Sequence, residues 1–204
     1  QEVYFDAADG TRLHGLYRKR NDPRLVILYL HGNGGNVGHR ARTLRLLASR
    51  FEASVLGVSY RGYGKSAGKP TENGLYQDAE AALDYLLTNE RVDVDRVLIV
   101  GRSLGGAVGL KLAIERSVPA ISIESTFTSL PDVAALQYPW FPVRLLMKNR
   151  FSSLDRIRDY RGRLLQTHGS HDELVPQSMA QELYAAATCP KEIAIIPNGK
   201  HNSP

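Results

Sequence analysis

A chain of 204 residues with 43% hydrophobic and 23% charged residues has the composition of a folded globular protein, which excludes wholesale disorder, and its length suits one domain better than two. The formal charge of +5 comes from Lys and Arg scattered along the chain, without a recognition element at a spacing typical of nucleic-acid binding, so no nucleic-acid partner is expected. Cys189 is the only cysteine, which excludes an intrachain disulfide, and no run approaches the roughly 20 apolar residues that span a bilayer.

The first 20 residues alternate around the turn signal Ala8-Asp9-Gly10-Thr11 and predict an opening antiparallel hairpin. Leu25 to Leu30 is a continuous apolar run, the pattern of a strand buried on both faces, and the glycine-rich stretch His31-Gly32-Asn33-Gly34-Gly35 follows it. Helical spacing over 37–50 then leads to a strand over 54–60. A polar loop over 61–73 precedes a helix through Leu75 and Leu87, with Thr71 as its candidate N-cap. Val97 to Val100 and Ala120 to Glu124 predict strands on either side of a helix over 104–116.

Residues 125–161 break this rhythm with Pro131, Pro139 and Pro142 around Tyr138, Trp140 and Phe141, and predict a lid-like excursion. A strand over 164–168, a helix over 177–187 and a strand over 193–196 resume it. Strands separated by helices imply a mostly parallel sheet with right-handed crossovers and helices on both faces, with sites beyond the carboxyl ends of the strands. The expected organisation is one α/β domain over 1–204.

Four strand ends carry chemistry. Gly101-Arg102-Ser103-Leu104-Gly105-Gly106 lies between a buried strand and a helix, the spacing of a nucleophile elbow that lifts Ser103 above the sheet. The N–H of Asn33, in the first glycine-rich loop, and that of Leu104 form the expected oxyanion hole. Asp172 and His201 follow the last two strands, where a carboxylate can orient an imidazole that takes the serine proton. The order Ser, Asp, His is the order used on α/β-hydrolase sheets.

His31 reads as a buried hydrogen-bonding residue, and Glu173 is the alternative acid beside Asp172. His168 and His171 also flank Asp172, but a metal site is not expected and no cofactor is needed.

Together these motifs, with Tyr60-Arg61-Gly62-Tyr63-Gly64-Lys65-Ser66, Gly68-Lys69-Pro70, Gly74-Leu75-Tyr76, Thr126-Phe127-Thr128-Ser129 and Val175-Pro176, resemble the α/β-hydrolase superfamily. More narrowly they resemble its Bem46-like group of serine hydrolases, of the abhydrolase domain 13 and 17 type. The resemblance implies a three-layer sandwich with a short lid, the triad Ser103, Asp172 and His201, and oxyanion donors Asn33 and Leu104. It also implies that the 61–66 loop lies near the site; Tyr60 and Tyr63 themselves read first as packing residues. Relatives carry a final helix after the histidine, so residues are expected to follow Pro204 in the whole protein. The start at Gln1 instead of Met likewise suggests an upstream leader, anchor or tag.

The expected activity is a serine acyl hydrolase acting on a carboxylic ester through an acyl-enzyme, falling in acid as the histidine protonates. A thioester of a lipidated protein is the alternative that the resemblance adds, and an inactive binding protein that keeps the elbow is the other. Tyr138, Trp140, Phe141, Leu145 and Met147 are candidates for an acyl pocket or its lid, with packing of the lid onto the body as the plainer reading. The expected partner is a small acyl ester or thioester, with peripheral or upstream-anchored membrane association, while the compartment, cytoplasmic or released from an anchor, and the oligomeric state stay open.

Overall fold

The computed structural model describes residues 1–202. Eight strands form one sheet: β1 (Glu2–Asp6), β2 (Arg12–Arg18), β3 (Val26–Leu30), β4 (Ser54–Ser59), β5 (Val97–Arg102), β6 (Ala120–Glu124), β7 (Arg163–Gly169) and β8 (Lys191–Ile196). Their spatial order is β1-β2-β4-β3-β5-β6-β7-β8. The expected opening hairpin pairs β1 with β2 antiparallel, Phe5 facing Leu13, and β2 lies antiparallel to β4. All pairs from β4 through β3 to β8 are parallel, as the strand-helix alternation predicts.

The helices are α1 (Ala41–Arg50), α2 (Glu72–Asp84), α3 (Leu104–Glu115), α4 (Leu130–Gln137), α5 (Val143–Leu146), α6 (Ser153–Ile157) and α7 (Gln177–Ala186). Every residue of β3 is buried because the strand is central and covered on both sides. Its period-2 alternation divides the core: Ile27 and Tyr29 meet Leu44 and Ala48 of α1, while Val26, Leu28 and Leu30 join the cluster that holds α2, α3 and α7. These are the three layers that the α/β-hydrolase resemblance implies. Toward β7 and β8, alternate residues such as Leu165 and Ile196 are exposed on one face.

Thr71 caps α2 as expected, accepting from the Gly74 N–H at 3.1 Å. The excursion between β6 and β7 has two parts. Its neck is closed by the Leu130 N–H to the Arg150 carbonyl at 2.8 Å and the Leu154 N–H to the Thr128 carbonyl at 3.0 Å. Beyond the neck, α6 returns to the body with Ile157 buried, because its apolar side faces α3 and α7. Of the residues between these bonds, Pro131 and Val133 are buried against the body, and 136–149, exposed or half-buried apart from Val143, form the projecting part.

Candidate functional site

Ser103 occupies the turn between β5 and α3 with φ 50° and ψ −115°. A non-glycine residue at positive φ stores strain of order 1–3 kcal/mol, which persists only where its surroundings overdetermine it. Here they do. The Ser103 N–H donates to the Glu124 carbonyl at 2.7 Å, and its carbonyl accepts from the Gly106 N–H at 2.9 Å. The flanking glycines serve close approach: a Cβ on Gly105 would lie 2.0 Å from the Leu30 carbonyl oxygen, and one on Gly101 would lie 2.4 Å from that of Gly105. Helix α3 therefore starts hard against β3, with Leu104 as its first residue and a backbone N–H left without an intrahelical acceptor.

The loop after β3 comes up to the same turn. A Cβ on Gly32 would lie 3.3 Å from both the Arg102 carbonyl oxygen and the Ser103 Cβ. Asn33 follows, and the Tyr63 hydroxyl donates to its Oδ1 at 2.6 Å. Tyr63 belongs to the 61–66 loop, which is anchored in turn by Arg61: its backbone N–H and Nε donate to Asp78 at 2.7 and 2.9 Å, and Nη1 donates to Asp9 at 2.6 Å. Burial raises the Asp78 carboxyl, opposed by the Arg61 guanidinium. His31 is buried as expected and donates from Nδ1 to the Gly32 carbonyl at 2.7 Å, since a carbonyl can only accept. Burial pushes its pKa down to about 4.

Asp172 and His201 meet across the turns after β7 and β8. His201 Nδ1 donates to Asp172 Oδ2 at 2.8 Å, and the N–H groups of Leu174 and Val175 donate to Oδ1 at 3.0 and 2.8 Å. Burial works against the Asp172 charge, but the hydrogen bonds from His201 and Val175 outweigh it and hold the carboxyl below its ordinary value. An ionised acceptor fixes the His201 proton on Nδ1 and leaves the Nε2 lone pair for base chemistry. The two turns are stitched by the His171 N–H to the Gly199 carbonyl at 2.8 Å and the Ser170 N–H to the Ile196 carbonyl at 3.0 Å. Arg102, immediately before Ser103, contacts the His201 carbonyl oxygen and donates to Asn202 Oδ1 at 3.1 Å, which ties the histidine turn to the elbow.

The alternative acid Glu173 is exposed, whereas Asp172 is buried against the histidine. His171 is exposed and bonds Ser170, and among the described residues no cluster of His, Cys, Asp or Glu could hold a metal ion.

Ser103, Leu104 and Asn33 open onto one cavity of about 350 Å³. Its apolar wall is Leu75, Phe127, Leu130, Val133, Phe151 and Val175, and its polar rim includes Tyr63, Thr71, Glu72 and Asn149. Tyr138, Trp140, Phe141, Leu145 and Met147, the candidates for an acyl pocket or its lid, line none of it. They lie on the projecting part of the excursion, the first four exposed and Met147 half-buried. Only residues near the neck, such as Leu130, Val133, Asn149 and Phe151, reach the cavity.

Sequence reasoning also missed two positioning contacts. Tyr63, taken as a packing residue, holds Asn33, and Glu72 fastens the excursion by accepting from the Phe151 N–H at 3.0 Å while its own N–H donates to Asn149 Oδ1 at 3.1 Å. A tyrosine between two glycines beside the site was the available signal for the first. Nothing local marks the second, which joins residues 77 and 79 positions apart.

A family model for the alpha/beta hydrolase fold matches residues 26–150, more than half of the chain. An uncharacterized protein of Mycobacterium tuberculosis is 37% identical over 206 residues, an alignment that covers 100% of this chain and 73% of that protein. The alpha/beta hydrolase domain-containing protein WAV2 of Arabidopsis thaliana is 34% identical over 92% of this chain and 66% of its own length. Protein bem46 of Schizosaccharomyces pombe is 33% identical over 89% and 62%. Among solved structures, Est1E of Butyrivibrio proteoclasticus, with ferulic acid bound, is similar with a TM-score of 0.80 at 22% identity, covering 98% of this chain and 90% of that one. The Pyrococcus furiosus esterase Pf2001 gives 0.81 at 20% identity, covering 100% and 84%. At such identities the structural likeness speaks for the fold.

Proposed function

We propose that this chain, which belongs to the α/β-hydrolase fold family, is a serine hydrolase that cleaves carboxylic esters of small acyl groups. The observation that supports this most is the bond from His201 to the buried Asp172, on a turn tied to the residue before a strained, cavity-facing Ser103. In this reading His201 Nε2 takes the proton of Ser103 as the hydroxyl oxygen attacks the ester carbonyl. The N–H groups of Asn33 and Leu104 stabilise the oxyanion, an interaction worth about 3 kcal/mol per donor in the transition state. The imidazolium then protonates the leaving alcohol. Water, deprotonated by the same nitrogen, hydrolyses the acyl-enzyme and releases the acid, while Asp172 stays ionised throughout.

A volume of about 350 Å³ is near the lower end of ligand sites, and the wall from Leu75 to Val175 is apolar, so a short acyl chain fits better than a long one. We further infer membership of the Bem46-like group, which the identity of 33% to protein bem46 supports.

The test is labelling by a fluorophosphonate, followed by p-nitrophenyl esters of rising chain length beside an acyl thioester. The wild type labels and turns over the shorter esters fastest. Ser103→Ala does not label, and Asp172→Asn loses about 10⁴-fold in kcat. Equal labelling of wild type and Ser103→Ala, or no labelling of the folded wild type, refutes the nucleophile and favours a binding protein.

A further inference from the structure

The projecting part of the excursion leaves most of its apolar side chains in water, although Val143 is buried and Met147 half-buried. Leu136, Tyr138, Trp140, Phe141, Leu145 and Leu146 are exposed, with Trp140 at 80% and Leu145 at 86%. These six are half of all the exposed large apolar side chains among the described residues, and they fall within eleven positions. Scattered singly they would be ordinary surface, but an apolar cluster of this size marks an interaction surface.

Charge identifies the occupant. From 136 to 150 the sequence carries Arg144, Lys148 and Arg150 and no carboxylate. Arg144 pairs with Asp132 at 3.0 Å, just before the segment, and Arg150 Nη1 donates to the Arg144 carbonyl at 3.1 Å. We propose that residues 136–150 dock onto an anionic lipid surface, with the aromatic and leucine side chains in the headgroup boundary and the cations against the lipid charges. Tryptophan and tyrosine prefer that boundary because an apolar ring carries a polar edge, and each nearby Lys or Arg strengthens binding about fivefold. A second copy fits less well, since a two-fold contact through this patch would set cations against cations.

The neck gives the docking a consequence. Leu130, Val133 and Asn149 belong to the same excursion and line the cavity at Ser103, so a docked protein would hold its cavity close to the lipid surface. This docking stands apart from the ester-hydrolysis reading, and the controls below separate them.

Trp140 is the only tryptophan, so tryptophan emission, excited at wavelengths that tyrosine does not absorb, reports on the patch alone. Vesicles of phosphatidylcholine with phosphatidylserine should shift its emission to the blue and cosediment the protein, pure phosphatidylcholine should do so more weakly, and added salt should reverse the binding. Lys148→Glu and Leu145→Ser should each lower the partition coefficient about fivefold or more, with the circular dichroism spectrum and hydrolysis of a water-soluble ester unchanged. An unshifted Trp140 with the folded wild type on phosphatidylserine vesicles overturns the proposal. So does equal binding by both variants, or a shift that follows protein concentration without lipid, which would mean self-association. Loss of hydrolysis with vesicle binding intact would count against the catalytic reading alone.

Discussion

His168 and Asp172 face each other with no exposure of either side chain, Nε2 lying 3.5 Å from Oδ2. His168 Nε2 also donates to the Val175 carbonyl at 2.8 Å, and the Val175 N–H donates back to Asp172 Oδ1 at 2.8 Å. The carboxylate that bonds His201 is thus held in a closed loop of contacts, in which the fully buried His168, outside the cavity lining, positions it. His168→Phe should lower kcat by about 10- to 100-fold with KM little changed, the effect of a displaced catalytic group, and His168→Gln should recover part of it by restoring a donor. Equal effects on kcat and KM, or no effect, would remove His168 from this role.

At the elbow two neighbouring positions should respond in opposite directions. Ser103→Gly relieves strain of about 1–3 kcal/mol and adds about 0.5–1 kcal/mol of chain entropy cost, so the variant should be inactive and as stable as the wild type or more so. Urea unfolding of both proteins checks this, and a clear loss of stability would argue that the strain is small.

Gly105→Ala should cost more than about 3 kcal/mol. The added methyl would meet the backbone carbonyls of Leu30 and His31, at 2.0 and 2.7 Å, and backbone cannot swing aside as a side-chain end can. Unfolding midpoints, or loss of soluble protein, report the outcome.

Arg61→Met should destabilise by roughly 3–5 kcal/mol, because Asp78 is fully buried and would lose its charge partner. Adding Asp78→Asn should recover part of the loss, as a neutral amide still accepts from the backbone N–H of position 61. Thermal unfolding of the single and double variants measures the recovery. An unaltered midpoint for Arg61→Met would show that the cluster contributes little.

His31 predicts an acid-sensitive fold. Its pKa is about 4 when folded against 6.5 when unfolded. Above 6.5 neither state binds the proton. Between 6.5 and 4 the unfolded state binds it and the folded state does not, so stability should fall with pH by roughly 3 kcal/mol, and below 4 this contribution levels off. Unfolding free energies across that range should show the slope, and His31→Gln should flatten it whatever it does to the level.

How much of this was legible follows from which residues act locally. The alternation of apolar runs and helical stripes determined the strands and the helices α1, α2, α3 and α7 in order, Thr71 as a cap, and the placing of Ser103, Asp172 and His201 after strands, because periodicity and turn chemistry are properties of neighbouring residues; the helices α4, α5 and α6 of the excursion carry no such stripe. Tertiary structure alone decided that β4 sits between β2 and β3, and that Asp172 rather than Glu173 turns inward to His201. It also decided that Tyr63 holds Asn33 from thirty positions away, and that the cavity is walled by Phe127, Leu130, Val133 and Phe151 while Trp140 and Leu145 stand in solvent. An apolar residue reads the same in a sequence whether it lines a pocket or faces out. Which it does depends on where the chain folds back, here on the bond between Leu130 and Arg150, and no local pattern encodes a contact between residues so far apart.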